Sequence, residues 1–137
     1  MLHLSIRNTL SEVECVTRSL HIFSEQLGLP RDVDQALQLA AEELLANIIV
    51  HGYPDGQLDT ITVDCQAIGD EVLMLVRDRG VPFNPLKQSA PERPVSLSEA
   101  PVGGLGIHLV RRFMDDITYG REAGGNTLLL KKRLKPR

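Results

Sequence analysis

The sequence predicts an α+β two-layer sandwich, with helices packed on one face of a mixed, mainly antiparallel sheet. Three features of its 137 residues predict it. Some segments alternate apolar and polar residues, as half-buried strands do. Others repeat apolar residues every three or four positions, as amphipathic helices do. The two kinds come in separate runs, so a helical layer on a sheet is the natural packing. With 42% apolar and 24% charged residues, the chain fits one ordinary domain over 1–137.

The first strand is read from Leu2, Leu4 and Ile6 alternating with His3, Ser5 and Arg7. Leu10, Val13, Val16, Leu20, Phe23 and Leu27 then mark an amphipathic helix. Gly28 ends it, and Leu29-Pro30 breaks the chain before the next element. A second helix is expected from about Asp32 to His51, with a core face of Val33, Leu37, Ala41, Leu44, Leu45 and Ile48, and with Gly52 as a left-handed stop. Ile61, Val63, Cys65 and Ala67 form a strand with one wet face. A Gly69-Asp70 connection leads into VLMLVRD, whose five consecutive apolar residues suggest a strand buried on both faces.

Five of the eight prolines fall between residues 82 and 101, so about 82–102 is read as a functional loop such as a lid. GGLGIHLVRRFMDD opens on glycines and continues as a helix with a face of Ile107, Val110, Phe113 and Met114. Two last strands, around Ile117–Tyr119 and Thr127–Leu134, are joined at Gly124-Gly125.

A net charge of −3 argues against nucleic acid as a direct partner. Five of the last seven residues are basic, which reads as a solvated tail or a contact for an acidic partner. No apolar run reaches the ~20 residues that span a bilayer, and MLHLSIRN is too mixed for a secretory signal. The expectation is cytoplasmic, with Cys15 and Cys65 as reduced core thiols. His3, His21, His51 and His108 read as surface, interface or helix-end positions, and no H-x3-H or C-x2-C spacing is present.

Three segments can carry chemistry. Glu43 and Asn47, one turn apart, share a helix flank at about 40° of rotation, so both can act on one bound cation and one reacting oxygen. An exposed surface pair would look the same. Asp78-Arg79-Gly80 falls where the buried strand ends. An Asp there can accept from the exocyclic amine of a base, and the glycine lets a flat ring approach the backbone, although Asp-x-Gly is also an ordinary turn. Gly103-Gly104-Leu105-Gly106 opens a helix with bare N–H groups suited to phosphate oxygens. It is neither a P-loop nor a dinucleotide fingerprint, and a purely structural turn would share its composition.

In order and together, ExxxNIIVHGY at 43–53, DRGVPFNP at 78–85 and GGLGIHLVRRFMDDITY at 103–119 closely resemble the GHKL ATPase superfamily with its Bergerat-type fold. Within it they look like the small anti-sigma-factor serine kinases of the RsbW and SpoIIAB type, over nearly the whole chain.

The resemblance implies ATP and Mg²⁺ as cofactors. It casts Asn47 as the Mg²⁺ ligand, Glu43 as general base and Asp78 as the acceptor for the adenine amine, with Gly80 under the ring. Gly103, Gly104, Leu105 and Gly106 would hold the phosphates, and Thr127 would support the base. It also implies a serine/threonine kinase that phosphorylates a STAS-domain anti-sigma antagonist and sequesters a sigma factor or similar regulator, often as a homodimer. One departure stands out. Pro101 and Val102 occupy positions where such kinases often carry an arginine, and Arg93 and Lys87 are the only basic residues in the lid. A non-catalytic, ATP-gated binding module is the alternative reading.

Overall fold

The computed structural model describes residues 1–87 and 106–135. Its sheet has five strands in the order β1 (Leu2–Arg7), β2 (Thr60–Ile68), β3 (Glu71–Asp78), β5 (Gly125–Arg133) and β4 (Asp116–Glu122). Among the described residues all four ladders are antiparallel, in place of the mixed sheet expected. Period-2 alternation sets its register. Leu4, Val63, Val76 and Leu128 are aligned across four strands, and Cys65, Met74 and Leu130 follow one step along. Glycines at positive φ make the tight reversals, Gly69 (60°) between β2 and β3 and Gly124 (77°) between β4 and β5.

Helices α1 (Val13–Leu27), α2 (Arg31–Gly52) and α3 (Gly106–Phe113) share one core with this face of the sheet. α1 ends where expected. Gly28 adopts φ 63°, and the Gly28 and Leu29 N–H groups donate back to the Glu25 and Ser24 carbonyls. α2 is the central helix, and its six predicted core residues are each no more than 2% exposed.

Several sequence expectations are corrected. β3 is buried on one face only: Val72, Met74 and Val76 are sealed, whereas Leu73 and Leu75 are half-buried. An antiparallel sheet with its described helices on one side leaves the other face to solvent. Gly52 is the last helical residue and not a left-handed stop; α2 ends as Tyr53 turns to φ −133° ahead of Pro54. Leu10, Leu27 and Phe113 lie at element ends, beyond the reach of the core, and are about half exposed. Cys15 is on the solvent side of α1, while Cys65 is buried as expected.

Candidate functional site

Asp78 is the last residue of β3 and keeps the inward parity of Val72, Met74 and Val76, so its carboxylate lies at the end of the core with 5% exposure. Oδ1 accepts from the Gly80 N–H (2.8 Å) and from Asn126 Nδ2 (2.9 Å). Among the described residues Oδ2 has no hydrogen-bond partner. A buried acceptor left open in this way is costly unless something else fills it. Burial pushes the carboxyl above its usual range, against the opposing pull of the Asn126 and Gly80 bonds.

The chain leaving Asp78 is clamped to the end of α2. The Val81 N–H donates to the Gly52 carbonyl at 2.9 Å, Arg121 Nη1 donates to the Gly80 carbonyl at 2.7 Å, and Arg79 pairs with Asp59 at 2.9 Å. Tyr53 accepts the Arg79 N–H, and burial lifts its phenol to about 12. Gly80 is required by this approach, since a Cβ there would collide with the Gly52 carbonyl. On the other side, a Cβ at Gly125 would stand 2.6 Å from the Asp78 carbonyl oxygen.

One helix flank supplies the second part. Asn47 is 3% exposed, and its Nδ2 donates to the Glu43 carbonyl one turn back at 2.7 Å. That bond gives the nitrogen end of the amide to the helix. Glu43 is half-buried, and its carboxyl is raised by burial and then by the neighbouring Glu42. The first residue of α3, Gly106, packs directly on it, and a Cβ at Gly106 would coincide with the Glu43 carboxyl group. The acid is thereby set against the amide-rich, partially positive end of α3. Glu42 lies elsewhere, lining a groove of about 860 Å³ between α1 and α2.

The structure thus brings Glu43, Asn47 and Gly106 together, and it ties Asp78 and Gly80 to the end of the same helix. Gly103, Gly104, Leu105 and Arg93, with the greater part of the 82–102 loop including Pro101 and Val102, lie outside the described residues. Lys87 is exposed in a short 3-10 turn (Pro85–Lys87), where the preceding Leu86 carbonyl is held by Arg111 at 2.9 Å. Thr127 is not brought to the site. It has the opposite parity from the core residues Leu128 and Leu130, so its side chain is on the open face of the sheet, and Oγ1 donates to the Gly120 carbonyl. Its neighbour Asn126 faces Asp78 instead. Sequence reasoning missed Asn126, although counting back by twos from Leu130 would have found it. Tyr119 and Arg121, which brace the same corner, carried no local signal.

Among the described residues no cluster of three or more His, Cys, Asp or Glu could hold a metal. Three described helices on one face of a five-stranded antiparallel sheet form an α+β fold consistent with an ATPase domain. The chain matches the histidine kinase-like ATPase domain over residues 6–132 and belongs to that family. It is 33% identical to the serine/threonine-protein kinase BtrW of Bordetella bronchiseptica, covering 73% of this chain and 70% of that one. It is 25% identical to an anti-sigma F factor of Clostridium novyi (82% and 80% covered), and 25% identical to the serine-protein kinase RsbW of Oceanobacillus iheyensis (79% and 71%).

Proposed function

We propose that the protein is an ATP-dependent serine/threonine kinase of the partner-switching type, with 1–137 as one domain and a lid at about 82–102. Its substrate is a STAS-domain anti-sigma antagonist. Its second partner is a sigma factor or similar regulator, met in the cytoplasm. No helix among the described residues is long and apolar enough to cross a membrane.

One observation carries this reading: Glu43 packed on Gly106 at the start of α3. On this reading residues 103–106 hold the phosphates, and Glu43, packed on Gly106, would stand beside the γ-phosphate as base for the incoming hydroxyl. Its raised pKa suits a group that must take up a proton. Asp78 Oδ2, buried and without a partner among the described residues, fits the 6-amino group of adenine, and Gly80, packed on the Gly52 carbonyl, holds the Asp78 carboxylate through its N–H. The Asn47 carboxamide oxygen fits a hard cation that keeps most of its waters. Mg²⁺, when bound there, supplies charge neutralisation along the phosphates.

Incubation with [γ-³²P]ATP and candidate STAS proteins tests the reading. Acid-stable label on a partner is expected, falling about 10²- to 10⁴-fold in Glu43→Gln while ATP binding stays within about threefold. Bound ATP with no partner labelled would reject the kinase. The second reading, a non-catalytic ATP-gated module, is favoured by Pro101 and Val102 in place of the lid arginine. It requires nucleotide-dependent partner binding that Glu43→Ala leaves unchanged.

A further inference from the structure

Asn126 is 3% exposed, and both ends of its carboxamide are engaged. Nδ2 donates to Asp78 Oδ1 and to the Val81 carbonyl, each at 2.9 Å. Oδ1 accepts from the Tyr119 hydroxyl and, at 3.4 Å, from the Phe83 N–H. One side chain therefore joins the end of β3, the segment leaving it, β4 and β5. An amide nitrogen has two protons to give and a hydroxyl has one. A Ser or Thr at this position would have to release either Asp78 or the Val81 carbonyl.

We propose that Asn126 is the positioning residue that makes Asp78 selective for a 6-aminopurine. With Oδ1 held by Asn126 and Gly80, the carboxylate has one orientation, and Oδ2 is the acceptor presented to the base. A purine without the amine leaves that oxygen buried and unpaired, and a 6-oxo purine sets acceptor against acceptor. Because the same amide holds Val81 and Phe83, the root of the 82–102 segment is fixed to the base-reading group. Asn126, and not Thr127, fills the supporting role on β5. The inference rests on the ATP reading and deepens it.

Equilibrium binding of Mg-ATP and of purine riboside triphosphate, which lacks the 6-amino group, to the full chain provides the test. The wild type is expected to prefer ATP by about 10- to 100-fold. Asn126→Leu, which keeps the volume and removes every hydrogen bond of the amide, is expected to lower that preference about fivefold or more, with affinity for the purine riboside triphosphate changed less than about threefold. Equal weakening for both nucleotides, leaving the preference intact, would show a merely structural residue and overturn the proposal. If Asn126→Leu does not fold, Tyr119→Phe removes one donor to the same amide from β4. It is expected to lower the preference about twofold, and an unchanged preference overturns the proposal equally. A wild type that binds both nucleotides alike refutes base reading by Asp78 and leaves ATP binding standing. A wild type that binds neither rejects the ATP reading itself.

Discussion

Two buried aspartates, at opposite ends of α2, face opposite demands. Asp34, 9% exposed near the start of the helix, is satisfied on both oxygens. Oδ2 bonds His21 of α1 at 2.8 Å and Oδ1 accepts from Gln38 at 3.0 Å. Burial alone would raise its pKa, but the bonds from Gln38, His21 and Ser24 hold it below the usual value. Asp78, 5% exposed beyond the other end, is satisfied on one oxygen, and burial prevails. A carboxylate built for structure is saturated by its own chain. On the proposed reading, the open acceptor of Asp78 is the one a ligand fills, and the free protein bears its cost. Cavity volume points the other way, since the 860 Å³ groove adjoins Asp34. Hydrogen-bond satisfaction separates the two where volume does not.

Asp78→Asn should have the largest effect. An amide can keep its oxygen on Gly80 and Asn126, but it turns a donor toward the adenine amine. ATP affinity should fall about 10- to 100-fold by calorimetry, while the melting temperature at neutral pH holds or rises because a buried charge is gone. Asp34→Asn should do the reverse: ATP affinity within about twofold, and a lower melting temperature as α1 and α2 lose their charged link. If both substitutions weakened ATP equally, the contrast between the two ends would fail.

The pH dependence of stability sharpens the contrast. His21 is raised by its hydrogen bond to Asp34, against desolvation, with Asp34 and Glu25 adding charge attraction. Its contribution is fully present below the unfolded value of 6.5 and is lost as pH rises through the higher folded value. The Asp34 contribution is present above 3.8 and is lost as pH falls through its lower folded value. Asp78 has the opposite sign. Its folded pKa lies above 3.8, so the native state holds the extra proton, and stability declines as pH rises from 3.8 through that value. In thermal melts across pH, the deficit of Asp34→Asn should be widest between 3.8 and 6.5 and shrink above. The advantage of Asp78→Asn over wild type should grow on leaving pH 3.8 and then level off.

These residues also show how far the sequence could be read. Strands and helices with an unbroken period were legible, because burial on one face imposes that period. The i, i+4 relation of Glu43 and Asn47 follows from helix geometry, and Gly28 and Gly124 stand at positive φ where punctuation placed them. What failed depends on neighbours far away in the chain. Five apolar residues in β3 do not reveal that the described helices cover one face. Gly52 does not reveal that its carbonyl receives the Val81 N–H from the next layer. Counting along β5 gives the inward face of Asn126, but its pairing with Asp78, 48 residues away, is set by the β3–β5 register, which no local pattern encodes. Gly106 was legible as a glycine opening a helix, but the acid filling the space of its missing Cβ was not.

The smallest expected effect falls on Thr127. A motif reading assigns it to the base, yet it sits across the ladder from Arg77 on the open face, while Asn126 pairs with Asp78 on the inner one. Its hydroxyl bonds the Gly120 carbonyl of β4 at 3.3 Å, a long bond at a half-buried position. Thr127→Val preserves the β-branched shape that a strand favours and removes that bond alone. ATP affinity should change less than about twofold, and stability should fall by about 1 kcal/mol or less in chemical denaturation. A tenfold loss of ATP affinity in Thr127→Val would mean that the inner face of β5 is not the face that reads the base. Asn126 and Asp78 would then be a structural pair of the same kind as His21 and Asp34.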